Sequence, residues 1–210
     1  TSSGSWCECS RYRPRRGRAT PCVGREQELV TVEAALTTSI EEHVARAVLV
    51  LGAAGMGKSR LRAELLRRLR QREARVTVWT GAADAMGQLS AFSLLGGVLR
   101  KVLDIGQARD PGAALDAAVA RRVGDADRAR LTEFLSVLAG VPSAGEPGAR
   151  LRAARRDARL MADQVRLAWE DLVAAECARD PVLLVLEDVQ WADAASVDLV
   201  DAALRRMANG

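Results

Sequence analysis

The 210-residue sequence contains no apolar run that approaches the roughly 20 residues needed to cross a bilayer as a helix. Its first twenty residues, TSSGSWCECSRYRPRRGRAT, also lack the apolar stretch of a secretory signal peptide. We therefore expect a cytoplasmic protein that makes no membrane contact. The hydrophobic content of 49% is enough to fill the core of one domain of this length.

Cysteine and histidine are scarce, and their spacing does not suit a metal site. The cysteines are Cys7, Cys9, Cys22 and Cys177, and His43 is the single histidine. They form neither a CxxC pair nor a Cys/His array of the kind that holds structural zinc. The sequence therefore predicts no zinc site, and thiols that stay reduced in a reducing compartment.

The net charge of +4 arises entirely in the first twenty residues, which hold five arginines and one acidic residue, Glu8. An arginine-rich stretch with proline and glycine and few apolar residues is typical of a disordered linker, and we assign residues 1–21 to a basic linker of this kind. Nucleic-acid binding by an arm at 11–18 is the function that the sequence supports least. Tyr12 is the one aromatic residue there that could stack on a base.

Lysine is almost absent, because Lys58 and Lys101 are the only lysines among 31 basic residues. A lysine kept in so arginine-rich a chain is a candidate for a role that arginine cannot fill. Lys58 lies in GAAGMGKS, residues 52–59, which matches the complete pattern G-x-x-x-x-G-K-[ST] of a phosphate-binding loop, or P-loop. The match stands between an apolar run and a helical pattern, which is the context that this motif requires.

Strand and helix patterns alternate along the chain and predict an α/β fold. AVLVL at 47–51 is a short β-branched run, typical of a strand buried on both faces of a parallel sheet. A helix with a leucine stripe is predicted at 58–73 and a second strand at 75–81, so the three segments form a βαβ unit. VLLVL at 182–186 predicts a third buried strand. The expected fold class is the three-layer sandwich of P-loop nucleoside triphosphatases, with a mostly parallel sheet.

The remaining segments are helical by their periodicity. We predict a helix at 24–36 and a helical insertion at about 82–180, with helices at 88–103, 114–123 and 125–140, a loop at 141–149 and then a long helix ending near Arg179. Asp193 is placed as the N-cap of a last helix at 194–207. The predicted domain organisation is an incomplete P-loop ATPase domain at 22–210 that follows the linker.

Each residue type in the loop at 52–59 has a physical reason. Its glycines allow backbone torsions and a close approach that a Cβ would block, so that successive N–H groups point inward as an anion nest. The helix that begins near Lys58 adds its positive dipole end. Lys58 is predicted to bridge the β- and γ-phosphates, and the Ser59 hydroxyl to ligate Mg²⁺. The predicted cofactor-binding residues here are Gly52, Ala53, Ala54, Gly55, Met56, Gly57, Lys58, Ser59 and Arg60.

LLVLED at 183–188 places two carboxylates, Glu187 and Asp188, directly after an apolar strand. Side chains at the carboxyl end of a strand in an open sheet face the ligand crevice. One carboxylate is predicted to join Ser59 as a metal ligand and the other to polarise water, and which does which stays open. Glu187, Asp188 and Lys58 are thus the candidate catalytic residues. The structural alternative is an acidic helix cap after a core strand.

The base of the nucleotide follows from a missing motif. A guanine reader needs [NT]-K-x-D, but Lys58 belongs to the P-loop and Lys101 is preceded by Arg100. The predicted nucleotide is therefore ATP, with Mg²⁺.

Three stretches together resemble the bacterial signalling ATPases of the AAA/STAND type: CVGREQEL at 22–29, GAAGMGKS at 52–59 and LLVLEDVQWADAAS at 183–196. They are most similar to origin-recognition-like AAA modules inside large regulators, beside LuxR-type DNA-binding, Ser/Thr-kinase or adenylyl-cyclase domains and often ahead of TPR repeats. The resemblance implies a slowly hydrolysing ATP switch whose partners are such fused domains, and it is compatible with a nucleotide-dependent oligomer. Direct binding of nucleic acid is not expected.

In that family the V-G-R-E segment packs over the adenine and ribose. The resemblance therefore implies that Val23, Gly24 and Arg25 contact the nucleotide, while Glu26 is a carboxylate of the first helical turn. The family usually has aspartate at the metal-facing position of the acidic pair, where this chain has Glu187.

The family continues beyond the acidic pair into a sensor strand and a lid, whereas this chain ends at Gly210. We therefore expect a C-terminally truncated piece of a larger regulator that lacks both elements. In the family layout the sensor strand lies between the P-loop strand and the acidic strand, so a vacancy is expected between 47–51 and 182–186. A scaffold that binds ATP with little or no turnover is the alternative to the switch, and the missing sensor segment favours it.

Overall fold

The computed structural model describes residues 24–72, 75–143 and 145–208. The predictions for Val23, for the first three cysteines and for the linker at 1–21 lie outside the described residues. The described chain divides into two compact units, one formed by Thr77–Ala203 and the other by the residues up to Val76 together with those from Leu204 onward. The predicted domain boundaries stay predictions.

The unit Thr77–Ala203 contains a parallel pair of strands, β1 (Thr77–Ala82) and β2 (Val182–Glu187). The register sets Thr77 opposite Val182 and Ala82 opposite Glu187. Parallel neighbours need a long crossover connection. The described part of this connection contains the α-helices α3 (Ser93–Val102), α4 (Pro111–Ala120), α5 (Asp125–Ala139), α6 (Ala149–Ala154) and α7 (Ala158–Cys177). The predicted α/β class with a parallel sheet is confirmed.

An apolar core in this unit joins the sheet to the crossover helices. Trp79 of β1 and Trp169 of α7 are both almost fully buried, and their ring centroids lie 5.8 Å apart at a tilt of 54°. The Trp169 indole N–H donates to the carbonyl oxygen of Leu199 at 3.1 Å. Leu199 belongs to the last helix, α8 (Ala194–Ala208), so this bond ties α8 to α7.

The second unit contains α1 (Glu26–Glu42) and α2 (Lys58–Gln71). The predicted leucine stripe of α2 is present, since Leu61, Leu65 and Leu69 are buried. Glu33 of α1 pairs with Arg68 at 3.3 Å and with Arg72 at 3.0 Å, which joins the two helices through charged side chains.

The prediction of a strand at 47–51 is wrong. These residues are described but adopt no strand, and Leu49 and Leu51 are 70% and 82% exposed. A strand requires a neighbour that accepts and donates its backbone hydrogen bonds. In the described part of the chain the sheet comprises β1 and β2, and 47–51 is in neither. The βαβ unit that began with this strand is therefore not formed, and the vacancy expected between two strands has no strand at 47–51 to border it.

The long helix predicted before Arg179 is divided into α6 and α7. The Asp157 carboxylate accepts hydrogen bonds from the backbone N–H groups of Arg159 at 2.9 Å and Leu160 at 3.2 Å, which starts a new helix. The helix predicted at 88–103 begins only at Ser93, because residues 87–89 form a single 3₁₀ turn. The ends of α5 and α8 agree with the prediction to within one residue.

None of the helices in the described ranges is both long and apolar enough to cross a membrane.

Candidate functional site

The loop at 52–59 has a backbone shape that depends on two of its glycines. Gly55 and Gly57 have φ angles of +81° and +83°, in the left-handed region where a side chain introduces strain. A Cβ added at either position would meet no atom within 4 Å. Backbone conformation rather than crowding therefore requires glycine at both positions.

Helix α2 begins directly on this loop. Gly57 is its N-cap residue, and the Gly57 carbonyl accepts the N–H groups of Arg60 and Leu61 at 3.0 Å each. Glycine has no side chain with which to cap the first N–H groups of the helix. Those groups carry partial positive charge and favour an anion. A helix N-terminus without a side-chain cap is the kind of junction that favours an anion.

The Lys58 side chain lies across the loop. Its ammonium donates to the carbonyl oxygens of Gly52 at 2.7 Å and Ala53 at 3.1 Å. An ammonium has three donors, so a third remains for another acceptor. The cation is thus held at the loop by weakly charged carbonyl oxygens, which a phosphate oxygen can replace at an advantage in charge.

Arg25 contacts the same loop from the segment before α1. Its Nη2 donates to the carbonyl oxygen of Met56 at 2.9 Å, and its Nη1 forms an ion pair with Glu28 at 2.6 Å. The hydrogen bond from Arg25 holds the pKa of Glu28 below its usual value of 4.5. Gly24, which precedes Arg25, has a φ of +76° and turns the chain there. The structure therefore places Arg25 on the loop backbone, a contact that the sequence did not indicate.

Glu187 and Asp188 lie at the carboxyl end of β2, as predicted. Glu187 is the last strand residue, and its carbonyl accepts the N–H of Ala83 at 3.0 Å. Asp188 is exposed and has a φ of 53°, a left-handed conformation that costs a non-glycine residue about 1 kcal/mol or more. Strained backbone of this kind is often found at functional sites. Gln190 donates to the Asp188 carboxylate at 3.4 Å, so the polar residue two positions on faces the acidic pair.

The segment that follows the acidic pair is a single tight turn. The N–H of Trp191 donates to the Asp188 carbonyl at 2.9 Å, and residues Val189–Trp191 form a 3₁₀ helix. The chain then reaches Asp193 and enters α8. We call residues 187–193 the acidic turn.

Asp193 is 3% exposed and caps α8 as predicted, since its Oδ1 accepts the N–H of Ser196 at 2.8 Å. The same carboxylate also accepts the N–H groups of Phe92 at 2.8 Å and Leu94 at 3.2 Å, at the start of α3. Burial by itself raises the pKa of Asp193, but the hydrogen bonds from Ser196, Leu94 and Phe92 outweigh it and leave the pKa below the usual 3.8. The link to α3 was not predicted, because no spacing in the sequence indicates a contact between residues so far apart.

Among the described residues, no group of three or more His, Cys, Asp or Glu side chains is arranged to hold a metal ion. Magnesium bound with a nucleotide takes only one or two protein ligands beside phosphate and water. The Ser59 hydroxyl in one unit and the Glu187 and Asp188 carboxylates in the other are each oxygen donors of the type that Mg²⁺ prefers.

Comparison with known proteins gives two matches. A family model described as an AAA ATPase domain matches residues 21–209, a range that includes both the loop at 52–59 and the acidic turn. The chain is also 30% identical over 188 residues to "Uncharacterized protein R02095" of Rhizobium meliloti (strain 1021). That alignment covers 90% of this chain and 17% of the relative. No solved structure matches the chain.

Proposed function

The chain belongs to the AAA ATPase domain family, and from this premise we propose that it binds ATP with Mg²⁺ and acts as a nucleotide-dependent switch module. Membership in this family implies nucleotide use. The observation that carries the proposal is the loop at 52–59, where left-handed glycines, a helix N-terminus and the Lys58 ammonium occur together. Each of these features favours a polyphosphate.

The proposed binding roles follow the chemistry of each group. Backbone N–H groups from Gly52 to Ser59, with Arg60 next to them, surround the phosphates, and Lys58 contributes the mobile charge at the β- and γ-phosphates. Ser59 supplies a hydroxyl to Mg²⁺. Gly24 and Arg25, with Val23, adjoin the nucleotide as the family resemblance implies. Adenine is the base, since no guanine reader exists in the sequence.

Hydrolysis is proposed to depend on the acidic pair. Mg²⁺, when bound, neutralises charge on the phosphates during transfer to water. One of Glu187 and Asp188 would help Ser59 to hold Mg²⁺, and the other would accept a proton from the attacking water. Turnover is expected to be slow, because such a switch must keep its nucleotide long enough for the state to be read.

A regulatory setting is part of the proposal. The chain spans 17% of the length of the relative from Rhizobium meliloti, which supports a role as one module of a larger protein. We propose fused output domains of the kinase, cyclase or DNA-binding type, with TPR-like repeats, as the partners that respond to ATP or ADP. A cytoplasmic location and nucleotide-dependent oligomerisation belong to the same proposal.

An ATP-binding scaffold with little or no turnover is the second candidate. The finding that favours it is the segment at 47–51, which forms no strand and leaves the loop without a paired strand ahead of it. A loop anchored on one side by a helix alone keeps its binding groups but holds a transition state less rigidly.

Titration with a fluorescent ATP analogue, in Mg²⁺ and in EDTA, tests binding. The expected result is saturable binding that Mg²⁺ tightens and that ATP and ADP reverse, whereas GTP competes poorly. Single-turnover hydrolysis then separates switch from scaffold, since the switch releases phosphate at a rate that Mg²⁺ controls. An absence of saturable binding contradicts the proposal in both forms.

A further inference from the structure

We propose that Asp193 is a positioning residue that holds the acidic turn in its working geometry by tying it to the N-terminus of α3. The inference rests on the proposed function, in which Glu187 and Asp188 serve Mg²⁺ and water. Asp193 itself is buried, so it acts on the chemistry through the backbone of the turn rather than by contact with nucleotide.

The Asp193 carboxylate accepts hydrogen bonds from the starts of two helices, α3 and α8. Oδ1 accepts the N–H groups of Phe92 and Ser196, and Oδ2 accepts the N–H of Leu94 and the hydroxyl of Ser196 at 2.8 Å. The Ser196 hydroxyl in turn accepts the N–H of Leu95 at 3.2 Å. Asp193 and Ser196, at the start of α8, therefore accept hydrogen bonds from the first N–H groups of α3.

The N-terminus of α3 depends on these hydrogen bonds. Phe92, its N-cap residue, has no side-chain acceptor and adopts a left-handed φ of 63°. Leu94 and Leu95 are buried, so water does not reach their N–H groups. Unpaired buried donors are costly, and a buried carboxylate without donors is more so. The Asp193 carboxylate and the N–H groups at the start of α3 therefore stabilise each other, so this contact fixes the position of Asp193 relative to α3.

The acidic turn is held by hydrogen bonds at both of its ends. At its start the Glu187 carbonyl accepts the N–H of Ala83, and at its end Asp193 is bonded to α3. Between them Asp188 holds a strained left-handed conformation. Strain persists only where the surrounding structure enforces it. Release of the Asp193 end therefore lets Asp188 relax and move its carboxylate.

The test uses two substitutions that separate the two caps. Asp193→Ser keeps one oxygen for the N-cap of α8, since serine is a good N-cap residue. Its single hydroxyl, on a shorter side chain, replaces the two carboxylate oxygens that accept the N–H groups of Phe92 and Leu94 at α3. Asp193→Asn keeps the shape and one acceptor oxygen, and thus restores part of the link. The matched control is Asp157→Ser, a change of an N-cap aspartate of α7 that lies outside the acidic turn.

Three quantities are measured on each full chain: the Kd for ATP in EDTA, the Mg²⁺ concentration that gives half-maximal tightening of ATP, and the single-turnover rate. We expect Asp193→Ser to raise the half-maximal Mg²⁺ concentration at least fivefold and to leave the Kd in EDTA within twofold. The single-turnover rate of Asp193→Ser is expected to fall at least fivefold. The values for Asp193→Asn are expected to lie between those of Asp193→Ser and those of the wild type. Asp157→Ser is expected to leave all three quantities within twofold of the wild type.

Two results overturn the inference. One is a folded Asp193→Ser variant with an unchanged Mg²⁺ requirement; the other is an equal loss of ATP affinity in EDTA, which shows a general structural role. If circular dichroism shows that Asp193→Ser is unfolded, the Asp193→Asn variant decides by the same criteria. A wild-type chain that binds no ATP contradicts the proposed function instead, so the two failures are distinguishable.

Discussion

The carboxylate of Asp193 accepts the backbone N–H of Phe92 at 2.8 Å, across a separation of 101 residues. This bond joins the far ends of two loops, the one from β1 to α3 and the acidic turn. Their near ends are joined by the bond from the Ala83 N–H to the Glu187 carbonyl. Loops that leave the carboxyl ends of parallel strands carry the ligand-binding groups of α/β proteins. The contact therefore stabilises the part of the unit Thr77–Ala203 where the acidic pair lies.

Lys58→Ala is expected to weaken ATP binding at least tenfold, or by about 1.4 kcal/mol or more, because the phosphates lose the ammonium cation of the loop. Titration with a fluorescent ATP analogue measures the effect. Lys101→Ala is the matched control, since it removes the other lysine of the chain from an exposed position of α3. Equal affinities of wild type and Lys58→Ala would contradict the assignment of the loop.

Glu187→Gln and Asp188→Asn are expected to slow hydrolysis at least tenfold while they change the Kd for ATP by less than threefold. Metal and water positioning matter most in the transition state, where about 1.4 kcal/mol corresponds to each tenfold in rate. Single-turnover phosphate release reports the first quantity and fluorescence titration the second. Asp198→Asn, an exposed carboxylate on α8, serves as the control. Unaltered rates in both variants would assign the pair to helix capping alone.

Arg25→Ala is expected to weaken the binding of ATP and of ADP equally, each severalfold or by about 1 kcal/mol. The reason is that the Met56 carbonyl loses a charged donor and the loop becomes less ordered. Glu28→Gln is the control, as it removes the ion pair but keeps the bond to Met56. Competition by adenosine separates two roles of Arg25. An effect on adenosine as large as that on ATP would indicate contact with the base rather than support of the loop.

Glu64→Gln is expected to lower the stability of the chain at pH 7 by about 0.5–1 kcal/mol, the range for a surface network of charges. Hydrogen bonding from Arg67 lowers the pKa of Glu64 from 4.5 to about 2 against the opposing effect of burial, and Arg68 adds to it. A folded-state pKa below the unfolded value stabilises the protein above about pH 4.5, and this contribution is lost as the pH falls toward 2.

Thermal unfolding of the wild type and of Glu64→Gln at pH 7, 4 and 3 checks this expectation. The difference between their midpoints should shrink as the pH falls. The exposed residue Glu41 provides a control, through Glu41→Gln. A difference that is the same at all three pH values would show that the carboxylate charge of Glu64 does not contribute.

Helix periodicity and local motifs in the sequence were sufficient to predict many of the secondary-structure elements. The α5 and α8 helices, strand β2 and the turn at Gly55 and Gly57 all form where they were predicted. The helices and the turn depend on interactions within a few residues: apolar spacing along one element, or a φ angle that glycine alone adopts without strain. Strand β2 has a local apolar pattern as well, but it also pairs with β1. The division before α7 was also local, because Asp157 is a good N-cap residue, but the apolar pattern continued across it and concealed it.

Two further features required the tertiary structure. AVLVL at 47–51 has the composition of a buried strand, yet a strand forms only where a second backbone pairs with it, and composition does not identify that partner. Aspartate is a preferred N-cap residue, and the sequence predicted correctly that Asp193 caps α8, where it accepts the N–H of Ser196 three residues on. Its bonds to Phe92 and Leu94 exist because the crossover helices bring the start of α3 to the end of the acidic turn. Local chemistry determined which residues could donate and accept, and only the packing of the chain decided which of them met.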